Sequence, residues 1–283
     1  MPQREITTTA SGELVEFCEA VAAAGFDHVL FYDHVLGADT ASRPGWSGVY
    51  SLTDPFLEPL VTFGYLAQAT TLDFMTGVLV LPQRQTVLVA KQVATLEALA
   101  PGRLRLGVGI GWNEVEYEAL GKDFANRGRR LDEQIVLLRR LLREPVVDFR
   151  GEHERVDRAG LRPRPAVDVP IWLGSGPSPR ALRRVGELAD GWLPTPTLVP
   201  GPGLNAAWEQ VQAAALACGR DPEAIEMEGH IRLRGGGPRQ AGLLTESWRA
   251  AGAHAVVIDL LGLGAEWPQG HIGLVETIGA VLD

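Results

Sequence analysis

Residues 72–116 read as strand, loop, helix, strand and loop, and this order limits the folds open to the chain. Leu72 to Val80 is apolar and β-branched toward its end, and Pro82 stops it. Val87 to Leu99 carries Val89, Val93 and Leu96 at three- and four-residue spacing, the period of a helix with one buried face. Pro101-Gly102 ends that helix, and Arg103 to Val108 opens a second strand. Two strands joined by a return helix in so short a run make a right-handed parallel βαβ unit.

The unit recurs along the chain. Further strands are expected at 27–32, 170–173, 190–193, 225–233 and 254–260. Helices are expected at 13–24, 54–70, 126–143, 178–189, 204–218, 239–251 and 271–282. Asp54-Pro55 offers N-cap and first-turn chemistry for the second of these. Residues 35–53 form a long loop, which points to a functional segment, and 145–168 read as an insertion containing a hairpin. A Gly-rich link covers 234–238.

Seven strands alternating with helices predict one all-parallel α/β domain over 1–283. The length suits a TIM (β/α)8 barrel, typically about 250 residues. The rival doubly wound dinucleotide fold needs G-x-G-x-x-G. Gly107, Gly109 and Gly111 give only G-x-G-x-G, in mid-chain, with Trp112 where the third glycine belongs. A barrel needs an eighth strand, and the gap falls at the front, where the first helix already begins near residue 13. Either residues 1–10 supply a stub of that strand, or its body lies outside this sequence.

Composition narrows the function classes. Apolar residues are 46% of the chain, as in a globular protein, yet no run approaches the roughly 20 residues of a membrane span. The net charge of −9 argues against nucleic acid as a partner. The N-terminus lacks the pattern of a signal peptide, and a cytoplasmic location is expected. Cys18 and Cys218 form neither a metal spacing nor a disulfide framework and are expected to be buried thiols.

In a parallel barrel, chemistry sits at the C-terminal ends of the strands. That rule selects Asp33-His34, Gly77 to Val80, Gly107 to Asn113, Gly174 to Ser178 and Asp190 to Trp192. His34 opens the long loop and reads either as a proton donor or acceptor at the mouth or as a loop-bracing histidine. The other histidines lack such placement, and His153, among the acids of GEHERVD, reads as a solvated hairpin residue. Gly174-Ser175-Gly176-Pro177-Ser178 joins strand to helix. It is either a phosphate cradle, with Arg180, Arg183 and Arg184 nearby, or an ordinary turn. The glycines before Trp112 either admit a flat ring or permit a tight bend. Trp46, Tyr50 and Trp192 line an aromatic pocket or fill core. No nucleophile pair and no metal cluster is visible, so a cofactor carrying its own chemistry fits best.

Taken together, these stretches resemble the luciferase-like monooxygenase superfamily, and within it the branch of oxidoreductases that use coenzyme F420, a deazaflavin. The resemblance is carried by GFDHVLFYDHV (25–35), DP (54–55), TGVLVLPQRQTVLVAKQVATLEALAPGRLRLGVGIGW (76–112), RGRRLDEQIVLLRRL (127–141), RPRPAVDVPIWLGSGPSPRALRR (162–184) and ADGWLP (189–194). It implies a TIM barrel with a truncated first strand, whose tail would be Met1-Pro2-Gln3, and a homodimer. It implies a deazaflavin, or alternatively FMN, held by Asp33, Thr76, Gly77, Val78, Gly109, Trp112, Gly174, Ser175, Gly176 and Ser178, with a non-proline cis peptide at Gly77–Val78. It assigns His34 as the catalytic residue for hydride transfer to or from a small organic substrate. The alternatives are an FMN-dependent monooxygenase served by a separate reductase and a non-catalytic flavin- or deazaflavin-binding protein. In the glucose-6-phosphate dehydrogenase relatives a Trp follows the catalytic His by four residues and a Glu stands at the place of Trp112. Here the first of these positions is Ala38, so the sugar-phosphate reaction is not expected.

Overall fold

The structure is a computed structural model that describes residues 1–6, 11–233 and 237–282. Seven parallel strands form the barrel wall: β1 (His28–Phe31), β2 (Asp73–Thr76), β4 (Leu104–Gly109), β7 (Ile171–Ser175), β8 (Gly191–Pro194), β9 (Glu226–Arg232) and β10 (Ala255–Asp259), hydrogen-bonded in that order. The strand expected over 72–80 is broken in two. β2 ends at Thr76, the chain bulges at Gly77–Val78 through a cis peptide, and β3 (Leu79–Val80) resumes the pairing with β4. The insertion contains the expected hairpin, β5 (Val147–Arg150) against β6 (Arg155–Ala159).

The helices are α1 (Ser11–Ala23), α2 (Pro59–Leu66), α3 (Thr86–Leu99), α4 (Glu114–Ala119), α5 (Arg127–Arg143), α6 (Pro179–Leu188), α7 (Pro202–Ala217), α8 (Gly237–Ala250) and α9 (Gln269–Leu282). α2 starts later than the sequence suggests. Glu58 caps it, accepting from Val61 N at 2.7 Å, with Pro59 in the first turn. Asp54 instead ties the loop, accepting from Ser51 N at 2.8 Å and pairing with Arg4. The Gly-rich link at 234–238 lies largely outside the described residues.

Strand alternation gives the molecule two apolar layers. One face of each strand packs against the helices. The other closes a small barrel interior around Leu30, Met75, Trp172 and Leu193, with Tyr32, Val78 and Val257 against it. Among the described residues no backbone ladder joins β1 to β10, so the barrel has a seam there. The first residues fill its upper end. The Met1 amine donates to Leu30 O at 3.0 Å, and burial lowers its pKa. The Gln3 side-chain amide accepts from Tyr32 N at 2.7 Å and donates to Tyr32 O at 3.2 Å, imitating a neighbouring strand.

Two local expectations need correction. Cys218 is exposed, because it caps α7 on the solvent side, and only Cys18 is buried. The His153 ring is mostly covered, since Glu133 anchors the hairpin tip through the backbone N–H groups of Glu152, His153 and Glu154. For Trp192 the core reading holds rather than the pocket one, with the ring stacked on Trp208 at 6.0 Å.

Candidate active site

A cavity of about 340 Å³ opens at the C-terminal ends of the strands. Its wall contains Gly77, Val78, Gly109, Trp112, Gly174, Ser175, Gly176 and Ser178. The glycines are there for a steric reason. A Cβ on Gly109 would stand 2.5 Å from Val78 Cγ2, and one on Gly174 would stand 2.4 Å from Val78 Cγ1. The Val78 bulge is thus seated between two strands that must lack side chains at those points. Ser175 Oγ accepts from Trp192 Nε1 at 3.0 Å, which leaves the serine hydrogen free to donate into the cavity mouth. The loop ends at Ser178, where α6 begins, and Arg184 of α6 also lines the cavity.

Thr76, Asp33 and His34 stand outside this cavity. Thr76 Oγ1 donates to Gly107 O at 2.6 Å across the wall. The buried Asp33 carboxylate accepts from Val80 N at 2.9 Å and pairs with Arg84, so it holds the bulge from behind. His34 sits in an adjoining aromatic box, with ring centres of Tyr50, Phe56 and Trp112 at 4.7, 4.8 and 5.6 Å. Its Nδ1 lies 3.1 Å from Glu116 Oε1, and Gln83 Nε2 donates to Glu116 Oε2 at 3.0 Å. Burial works to raise the Glu116 carboxyl, but the bonds from His34 and Gln83 outweigh it and hold it below the usual carboxylate range. Trp112, 38% exposed, separates the box from the cavity.

Sequence reasoning missed the polar end of the cavity. Tyr32, Glu228 and His230 line it. Glu228 and His230 lie two residues apart on β9, so alternation puts both on the inner face, and that spacing was the available signal. Asp259 Oδ2 accepts from the Tyr32 hydroxyl at 3.0 Å and lies 3.3 Å from His230 Nε2. Burial tends to raise the Asp259 carboxyl. The His230 hydrogen bond and charge, the Leu261 N–H and the Met1 amine overcome this and hold it at about 2. Deeper in, the fully buried Glu228 places Oε1 2.7 Å from His28 Nε2, while its Oε2 has no partner among the described residues. Glu116 was missed because it stands in an acidic run that reads as solvated.

A family model described as luciferase-like monooxygenase matches residues 2–232. An uncharacterised protein of Mycobacterium tuberculosis is 42% identical over 186 residues, covering 63% of this chain and 64% of that protein. The F420-dependent hydroxymycolic acid dehydrogenase of Mycobacterium tuberculosis is 31% identical over 246 residues, 85% of this chain and 64% of that protein. The F420-dependent glucose-6-phosphate dehydrogenase of Nakamurella multipartita is 33% identical over 196 residues, 66% of this chain and 53% of that protein. The chain thus spans between half and two thirds of these relatives. Two solved structures share the fold: an F420-dependent secondary alcohol dehydrogenase in complex with an F420–acetone adduct, and the monooxygenase RslO1 of Streptomyces bottropensis. The first has a TM-score of 0.73 at 18% identity, covering 95% of this chain and 93% of that one. The second has a TM-score of 0.75 at 19% identity, covering 99% and 96%. With its family model spanning most of its length and its strands closing around a bulged, glycine-walled cavity, the chain belongs to the luciferase-like monooxygenase family.

Proposed function

We propose that this protein is an oxidoreductase that binds coenzyme F420 and supports hydride transfer between its deazaflavin ring and a small organic substrate. The observation that carries the reading is the seating of Val78 between Gly109 and Gly174, which gives the cavity a wall against which a flat ring can lie. F420-dependent enzymes among its relatives support the choice of cofactor. Bound there, the deazaflavin supplies a carbon that accepts or gives a hydride.

The chain's own part is to bind, orient and dry the site. Val78 and the glycines of β4 and β7 offer the ring one face, which fixes the side open to substrate. Ser175, Ser178 and the start of α6 suit the anionic tail. The Leu30, Leu173, Leu193 and Val257 side chains exclude water from the inner end. His34 keeps its place as a proton-exchanging candidate, on condition that Trp112 moves aside.

The second reading, an FMN-dependent monooxygenase, is favoured by 32% identity over 148 residues to the pyrimidine monooxygenase RutA of Allorhizobium ampelinum. A separate reductase would then supply its electrons. Parallel fluorescence titrations with F420 and FMN decide between the two. Tight binding of F420 alone supports the deazaflavin reading, preference for FMN overturns it, and binding of neither favours a protein without flavin chemistry.

A further inference from the structure

Trp112 is a large apolar side chain that the fold does not bury. It stands at the edge of the cavity, 38% exposed. Three rings meet its indole at a tilt: His34 at 5.6 Å and 56°, Trp46 at 6.0 Å and 57°, and Tyr50 at 6.2 Å and 43°. A second cavity, of about 190 Å³, lies among His34, Tyr50, Phe56 and Asn113. The chain beside Trp112 leaves the indole free to turn. Gly111 precedes it at φ +63°, and Asn113 follows, capping α4 by accepting from Val115 N at 3.2 Å. Rotation about the side-chain bonds of Trp112 therefore disturbs neither β4 nor α4. The loop of residues 35–53 lies against the indole. Its legs are tied where Leu52 N donates to Ala38 O at 2.9 Å. Its tip meets the indole through backbone, since a Cβ on Gly48 would overlap both Trp112 and Trp46. Trp46 Nε1 is buried there and has no partner among the described residues.

We propose that Trp112 is the specificity-determining residue of this site: the substrate takes the place of its indole, and is a flat, conjugated molecule carrying a hydrogen-bond acceptor. Tilted and edge-on ring contacts are interchangeable between aromatic partners. A flat ligand can make with His34, Trp46 and Tyr50 the contacts that the indole gives up. Its acceptor gives Trp46 Nε1 the partner it lacks, and satisfying a buried orphan donor is a net gain. A ligand moves the indole only by what it gains in the vacated place. A flexible aliphatic molecule gains neither the ring contacts nor the hydrogen bond, so it leaves Trp112 where it stands. Assigning the incoming molecule as substrate rests on the oxidoreductase reading above, whereas the exchange of the indole for a flat ring stands on the geometry alone.

Quinoline and naphthalene test this, since they share size and shape and only quinoline carries an acceptor. Each is titrated by equilibrium dialysis against the cofactor-free protein and its variants. Trp112→Ala has no indole to displace and should bind quinoline about tenfold more tightly than the unaltered protein, with Trp112→Phe between the two. Trp112→Ala should also prefer quinoline to naphthalene by about fivefold, and adding Trp46→Phe should erase that preference. A bare hole would take both probes alike. Equal quinoline affinity with and without the indole, or no preference for quinoline, overturns the proposal. The titration is then repeated with F420 bound. Quinoline should still bind Trp112→Ala. Its expulsion would mean that the indole holds the place of the cofactor ring, which overturns the specificity role and leaves the cofactor reading intact. Absence of F420 binding overturns the cofactor reading, and the two probes then decide by themselves whether a flat ligand replaces the indole.

Discussion

Arg84 grips Asp33 with two prongs, Nη2 to Oδ1 at 2.7 Å and Nε to Oδ2 at 3.2 Å. The carboxylate is almost wholly buried, and its Oδ2 also takes the Val80 N–H. One residue therefore ties the end of β1 to the restart of the bulged strand. Without Asp33, Arg84 keeps Glu58 at 2.9 Å, so the loss comes from the Val80 N–H left unpaired and the broken two-pronged contact, about 1–3 kcal/mol. Asp33→Ala should show that loss in urea unfolding, together with weakened cofactor binding. A change below about 0.5 kcal/mol would remove Asp33 from this holding role.

The glycines on the inner wall are expected to differ in what they protect. An alanine Cβ at Gly107 would meet Thr76 O at 1.9 Å, a backbone atom with nowhere to go. At Gly174 it would meet only Val78 Cγ1, at 2.4 Å. Gly107→Ala should therefore cost stability, about 2 kcal/mol or more. Gly174→Ala should push Val78 into the cavity and cut F420 or FMN affinity by about tenfold with a folded protein. Calorimetry beside a binding titration separates the two effects.

His28 makes stability depend on pH. Burial works to lower its pKa, but hydrogen bonds and charge from Asp27 and Glu228 raise it to about 9 against an ordinary 6.5. A histidine raised in the folded state contributes its full stabilisation below the unfolded value and loses it as pH climbs through the folded one. The stabilisation is therefore present at pH 6 and fades toward pH 9. The gap in unfolding free energy between the protein and its His28→Gln variant should shrink from pH 6 to pH 9.5. A constant gap would mean that the imidazolium is not the stabilising form.

The family resemblance implies a homodimer, and exposed apolar side chains on two adjacent helices are the contact to test. Val61 on α2 is 69% exposed and Leu88 on α3 is 53% exposed, and the two helices pack together. Tyr65 on α2 and Val87 on α3 are exposed as well. Sedimentation velocity should report a dimer for the protein and a monomer for Val61→Glu/Leu88→Glu. If both sediment alike, these side chains do not form the contact.

Periodicity together with the Pro and Gly stops determined most of the strand and helix order, because a two-residue period and a 3.6-residue period leave different marks in the chain; it did not show the break at Gly77–Val78 or the short α4. It likewise determined that Gly77, Gly109 and Gly174 lie at strand ends, since glycine inside an apolar strand marks a close approach. Tertiary structure decided which polar groups share a cavity. Asp33 and His34 are adjacent in sequence to the strand end that faces the site, yet Arg84, 51 residues on from Asp33, and Glu116, 82 residues on from His34, draw them behind the wall. Tyr32, His230 and Asp259 lie in three segments separated by up to 227 residues and meet only because the barrel curls β9 and β10 back to β1. A sequence records local alternation. It does not record which distant charges burial will force to pair, and that pairing assigned the holding roles to Asp33 and Glu116 and turned His230 toward the cavity.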